Sequence, residues 1–139
     1  MVKSHLLLSA SLALFVLMTF LSTASAQRTY HFDQEWVKIW INPQDGTIDL
    51  FYNVSITLES GLDINYVLIG QPQRDFTIGN ATDQYGNMLV ATDVSSGSDY
   101  KVNVTLHTPL KAGHTIWFTL LTNVAHMIWE DTQNPGNVG

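Results

Sequence analysis

"EWVKIWINPQDGTIDLFYNVSITL", residues 35–58, is the stretch on which the fold turns. Val37, Ile39 and Ile41 stand two apart, and after a break so do Ile48, Leu50, Tyr52, Val54, Ile56 and Leu58. That period is the repeat of an extended strand, which sends successive side chains to opposite faces and buries one of them. The break, Asn42-Pro43-Gln44-Asp45-Gly46, is turn chemistry: proline presets φ, and glycine takes positive φ without a Cβ clash. The stretch therefore predicts an antiparallel hairpin. Pairing Ile41 with Ile48 brings both apolar rows to one face. On the other face it sets Trp40 across from Asp49, Lys38 from Phe51 and Trp36 from Asn53.

A second unit of the same kind follows. Tyr100, Val102, Val104 and Leu106 alternate with Lys101, Asn103, Thr105 and His107, and a loop through Pro109 and Gly113 leads to Ile116, Phe118 and Leu120. Read as a hairpin with Leu106 opposite Ile116, it places Thr105 across from Trp117 and Asn103 across from Thr119. Between the two units, residues 64–69 and 88–94 read as strands, with 76–78 a shorter one. Ser60-Gly61, Tyr85-Gly86-Asn87 and residues 95–98 punctuate them. The chain after residue 26 carries no helical stripe. Roughly seven short strands separated by turns predict an all-β antiparallel β-sandwich, immunoglobulin-like or similar, with an open β-barrel as the alternative. Its expected core is Val37, Ile39, Ile41, Leu50, Tyr52, Val54, Ile56, Val102, Val104, Leu106, Ile116, Phe118 and Leu120.

The first 26 residues stand apart. Lys3 precedes an apolar run from Leu6 to Leu21, and Ala24-Ser25-Ala26 fits the small-x-small rule for signal cleavage before Gln27. The run is short for a membrane span, which needs about 20 apolar residues. Residues 1–26 are thus expected to be a cleaved signal peptide and 27–139 a single β-sandwich module, secreted or at the cell surface. The membrane would be met only through the signal segment during export. Of the 139 residues 113 remain after cleavage, with five basic against twelve acidic side chains and a net charge of −7. Such a surface has nothing to attract a phosphate backbone, so nucleic acid is not an expected partner. A protein or glycan partner at the cell surface is. There is no cysteine, which excludes disulfides, zinc–thiolate sites, thiol nucleophiles and iron–sulfur clusters within this chain.

In an exported chain the triplets Asn53-Val54-Ser55, Asn80-Ala81-Thr82 and Asn103-Val104-Thr105 become candidate N-glycosylation sites. Asn53 and Asn103 fall on the polar sides of their strands and Asn80 in a turn-rich stretch, so all three are expected to face solvent. Those polar sides also carry aromatics: Trp36, Trp40, Phe51 and Trp117 form a candidate interaction surface, either covered by a neighbouring domain or subunit or stacking on sugar rings. His31, His107, His114 and His126 show no His-x-His or His-Glu-x-x-His spacing, and no metal or other cofactor is expected. Asn42, Asp45 and Asp49 lack the ligand series of a calcium loop, so Asp45 is expected to stabilise its turn instead. No Gly-x-Ser-x-Gly elbow, phosphate-binding loop or dinucleotide fingerprint occurs, and no catalytic residue is marked.

One further stretch bears on function. "VTLHTPLKAGHTIWFTL", residues 104–120, resembles the strand, Pro-Leu-x-x-Gly turn, strand pattern in the amino-terminal β-domains of secreted aminopeptidases and in ribophorin-like ectodomains. It covers about a seventh of the chain and carries no active-site residue with it. The resemblance implies a non-catalytic module at the front of something longer, and the turn-like Pro135-Gly136 near the end of the chain fits that expectation. The function expected from sequence is a structural or interaction role outside the cell. The alternatives are an accessory domain of a secreted or membrane-anchored hydrolase and a carbohydrate-binding module using its aromatic face.

Overall fold

The predicted hairpin forms in the anticipated register, and it is longer than its apolar rows suggested. In a computed structural model that describes residues 27–129 and 132–134, strand β1 runs Thr29–Asn42 and β2 Thr47–Ser60. Their ladder pairs Ile41 with Ile48, Trp40 with Asp49, Lys38 with Phe51 and Trp36 with Asn53. The connecting turn closes through Gly46, whose φ of 73° needs a residue without a Cβ. Its amide donates to the carbonyl of Asn42 at 3.1 Å. Asp45 stabilises the turn as expected, accepting from the Thr47 amide at 3.1 Å and the Thr47 hydroxyl at 2.8 Å. The proposed signal segment, residues 1–26, and Pro135-Gly136 lie outside the described residues.

Five more strands complete an all-β fold: β3 Ile64–Gly70, β4 Phe76–Asp83, β5 Val90–Asp93, β6 Lys101–Leu110 and β7 His114–Val124. All pairings are antiparallel. They build one sheet in the order β1-β2-β7-β4 and a second in the order β3-β6-β5. The inner faces of the two sheets enclose the core, with Val54, Leu58, Val102, Val104, Phe118, Leu120 and Val124 fully buried. This is the β-sandwich expected from the turn spacing.

Two expectations need correction. The segment around Pro109 and Gly113 does not make a hairpin: β6 belongs to the three-stranded sheet and β7 to the four-stranded one. The Gly113 amide donates to the Leu58 carbonyl at 2.7 Å, tying the turn to the end of β2 as the chain crosses between layers. Trp117 therefore stands beside Ser55 and Thr119 beside Asn53, while Asn103 pairs with Leu68 and Thr92. Two alternating strands joined by a turn can lie side by side or face each other across a core. Both arrangements bury the same apolar rows, so periodicity does not separate them.

The second correction concerns Val37, Ile39 and Ile41. They point to the core side of their sheet, yet they are 42, 58 and 62% exposed, whereas Tyr52, Leu50 and Ile48, directly opposite them on β2, are 4–7% exposed. β1 is an edge strand of the wider sheet, and the narrower sheet does not reach over it. Along the opposite side the sandwich is closed. There the chain turns from β4 towards β5, with the Leu89 amide donating to the Ala81 carbonyl at 2.8 Å and a bridge between Thr82 and Met88. On the β1 side the described ties between the sheets run through Tyr52, across the ladder from Val37, whose hydroxyl donates to the Gly70 carbonyl of β3 at 3.2 Å, and through Arg28, which donates to the carbonyls of Leu62 and Asp63 at 3.0 and 2.9 Å. Close by, Gly61 sits at φ 104°, where a Cβ would fall 2.8 Å from Arg28 Cα.

Candidate functional site

The outer face of the four-stranded sheet gathers all four aromatics singled out from sequence. The period of two that sends Ile48 to Leu58 inwards sends their intervening neighbours outwards, so register alone decides which of these meet. Across β1, β2 and β7 the rows run Gln34–Ser55–Trp117, Trp36–Asn53–Thr119, Lys38–Phe51–Leu121 and Trp40–Asp49–Asn123. Trp36, Trp40 and Trp117 are 67, 48 and 44% exposed. Trp40 meets Phe51 edge-on with ring centroids 6.2 Å apart, a favoured aromatic arrangement. Beside them lies a shallow cleft of about 270 Å³ lined by Gln34, Asn53, Ser55 and Trp117.

Polar networks flank this aromatic band. At the turn end, Asn123 and Asn42 donate to the two oxygens of Asp49 at 2.7 and 3.2 Å, and both amides also reach the Thr47 hydroxyl. The Asn123 amide, then that of Asn42, holds the Asp49 carboxyl below its ordinary range. At the other end the Thr57 hydroxyl donates to Asp33 at 2.7 Å and lowers its pKa. The His31 ring lies between two carboxylates, Nδ1 at 3.0 Å from Glu59 and Nε2 at 3.1 Å from Asp33. Sequence reading did not join His31, Asp33 and Glu59, because a register shift between Phe32 and Gln34 breaks the simple alternation there. Only the i, i+2 spacing of His31 and Asp33 hinted at it.

The three candidate sequons are placed differently from one another. Asn80 is exposed on β4, at an edge of its sheet and at a register shift between Ile78 and Ala81. Asn53 and Asn103 are half-buried on β2 and β6, each flanked by strands on both sides. His107 and His114 lie on the two strands that the crossing turn joins, and His126 follows β7 at a positive φ of 55°. Among the described residues no three His, Asp or Glu side chains converge in a way that could hold a metal ion. The outer face can bind by apolar contact, by stacking and through Asn and Gln amides.

No protein-family model matches the sequence, and no curated protein matches it. Solved structures do match the fold. An M1 zinc metallopeptidase from Deinococcus radiodurans superposes with a TM-score of 0.52 at 16% identity, over 72% of this chain and 21% of that one. A mutant from the same organism bound to a Tyr-Ser-Ala substrate gives 0.52 at 16%, over 79% and 23%. A two-domain M1 zinc metallopeptidase mutant bound to L-tryptophan gives 0.52 at 15%, over 77% and 23%. At such identities the likeness is one of fold. The matched part amounts to less than a quarter of each of those chains.

Proposed function

We propose that this chain is a non-catalytic β-sandwich module of the cell exterior, serving as the accessory domain of a hydrolase of the zinc-peptidase kind. One observation carries the reading: the fold matches one portion of several zinc metallopeptidases, over about three quarters of this chain and less than a quarter of theirs. The stretch from Val104 to Leu120 supports it, since it resembles amino-terminal domains of secreted aminopeptidases. The signal-like residues 1–26 support export, and Asn80 is the best placed of the three sequons to carry a glycan. The test is purification of the exported polypeptide from its own host. The expected product is several-fold heavier than 15.5 kDa and cleaves small peptides in a zinc-dependent manner. A product no longer than residues 27–139 that cleaves nothing rejects the reading.

The outer aromatic face favours a second reading, carbohydrate contact. Tryptophans beside Asn, Gln and Ser amides and hydroxyls match a sugar's apolar ring faces and polar rim. Glycan-array binding that disappears when Trp36→Ala and Trp40→Ala are combined supports it. Absent binding, or binding indifferent to the two changes, eliminates it.

A further inference from the structure

The sandwich is four strands over three, and among the described residues β1 is left exposed along its inward row. From Trp36 to Ile41 it has apolar side chains on both faces, Val37, Ile39 and Ile41 inwards and Trp36 and Trp40 outwards, with charge limited to Lys38 on the outer face and to Glu35 at the head of the inward row. A two-sided apolar pattern is that of a strand enclosed on both faces, whereas edge strands are ordinarily short, charged or bulged. β1 is 14 residues long, with its register shifts confined to residues 29–34, so the segment from Gln34 to Asn42 pairs without interruption. In the facing sheet, β3 pairs with no strand but β6 among the described residues, and its other edge carries no strand partner, only the Tyr52 hydroxyl on the Gly70 carbonyl at 3.2 Å. Between the two edges, at the Arg28 end, opens a cleft of about 300 Å³ lined by Tyr30, Phe32, Ile56, Ile64 and Val67 among others, and Val37, Ile39 and Ile41 continue the inward row of β1 beyond it.

The route of the chain after β7 bears on what fills this gap. The Ala125 amide donates to the Asp75 carbonyl at 2.8 Å, and the Met127 amide to the Gly46 carbonyl at 3.2 Å. Met127 and Ile128 pack against the core. The polypeptide has therefore left β7 and arrived at the β1–β2 turn, next to the Ile41 end of the uncovered row.

We infer that Val37, Ile39 and Ile41 are the docking face for a β-strand from the hydrolase body, which pairs with the free edge of β3 and closes the sandwich as four over four. The inference rests on the accessory-domain reading. It goes further by naming the surface that joins module to body and the kind of segment that fits it, extended and apolar at alternate positions. A strand beside β3 supplies partners for a free row of backbone amides and carbonyls while covering the inner face of β1. The outer tryptophans remain open to a separate contact.

The absence of cysteine allows a clean test. Ile39→Cys and Ile41→Cys are made singly in the polypeptide as its own host exports it, with Val90→Cys on β5 as the exposed reference and Leu50→Cys as the buried one. Both test positions are more than half exposed in the described domain, so the changes leave its core intact. Labelling with a maleimide is expected to be roughly 100-fold or more slower at positions 39 and 41 than at 90, as for sites that react only through local opening. Amide exchange over residues 64–70 should be as slow as in β6. Labelling at the Val90→Cys rate in a heavier polypeptide overturns the docking face and leaves the accessory-domain reading standing. Protected thiols with fast exchange over 64–70 overturn the strand pairing. Protection that is lost on dilution as the mass halves assigns the face to a second copy and overturns the inference. An exported product no longer than residues 27–139 removes the accessory reading and the inference together.

Discussion

β1 and β2 are the two halves of one hairpin, each 14 residues long, with alternate apolar side chains on the same face, yet their burial is opposite. From Ile48 to Leu58 every second residue of β2 is buried, while Val37, Ile39 and Ile41 across the ladder remain open. Propensity does not distinguish them, since both rows are β-branched or large aliphatic residues, with one tyrosine added on β2. Location does. β2 is an interior strand with the second sheet over it, and β1 is an edge whose C-terminal half no described strand covers. Alternation specifies which face of a strand is apolar, and burial is conferred by the layer opposite.

The sharpest way to break this contrast is to truncate matched residues. Leu50→Ala should cost about 2–5 kcal/mol in urea unfolding, the loss of a buried aliphatic plus the cavity it leaves. Ile39→Ala, directly opposite on the ladder, should stay within about 0.5 kcal/mol of the parent when the domain is studied by itself. Leu50→Asp should abolish folding, because it buries a charge without a partner, whereas Ile39→Asp should fold and be more soluble. Equal costs at 39 and 50 would mean that β1 is already enclosed within the domain.

A smaller effect tests the end at which β1 is tied to the second sheet. Gly61→Ala meets both a positive φ of 104° and a backbone atom at 2.8 Å, so the ends of β1 and β2 must separate to admit the methyl group. The expected cost is about 1–3 kcal/mol, the range for residues forced into disfavoured backbone conformations. Gly86→Ala, at φ 83° with open space around its Cβ, isolates the conformational part and should cost less. A Gly61→Ala variant as stable as Gly86→Ala would show that the Arg28 end is pliable.

Acid should separate the closed side from the open one. On the closed side Asp83 is buried at the end of β4 and accepts from the Tyr85 and Asn87 amides at 2.9 Å each and from the Asn87 side chain at 3.0 Å. The Asn87 side chain is the largest influence lowering its pKa. A carboxylate whose folded pKa lies below its unfolded value stabilises fully above the unfolded value, about 3.9 for Asp, and ceases to do so as pH falls through the folded pKa. Urea midpoints should therefore be flat near neutrality and fall below about pH 4. Asp83→Asn, which sets its amide against that of Asn87, should lower the neutral midpoint and flatten the acid fall. An unchanged acid slope in this variant would shift the origin to the other carboxylates whose pKa values are lowered, Asp33 and Asp49 on the outer face and Asp93 at the end of β5.

The same contrast explains what was legible in sequence. The register from Trp36–Asn53 to Ile41–Ile48 could be read because a short turn and strict alternation admit one pairing. The seven-strand architecture followed from turn spacing. The partition of β6 and β7 into different sheets could not be read, since rows that face each other and rows that lie side by side share one period. Nor could the exposure of Val37, Ile39 and Ile41, which depends on how far the narrower sheet extends. The aromatic outer face came through because it needs only register, but Trp117 found its neighbour on β2 instead of β6. The His31–Asp33–Glu59 group was hidden by a bulge, which changes the face count without any marked residue.

The smallest expected effect lies on that outer face. Trp40 and Phe51 are diagonal neighbours on β1 and β2, in edge-to-face contact but with Trp40 still half exposed. Each single alanine change removes partly buried aromatic area, so neither isolates the contact, and a double-mutant cycle is required. A coupling of about 0.5–1.5 kcal/mol is the range for aromatic pairs, and solvent on one side places this pair near its lower end. Such a value would mean that the band is held rigid before any partner arrives, with Trp40 preset at a fixed angle above the sheet. A coupling indistinguishable from zero would mean that Trp40 is free to turn, and that any surface built from Trp36, Trp40 and Trp117 is shaped by what it meets.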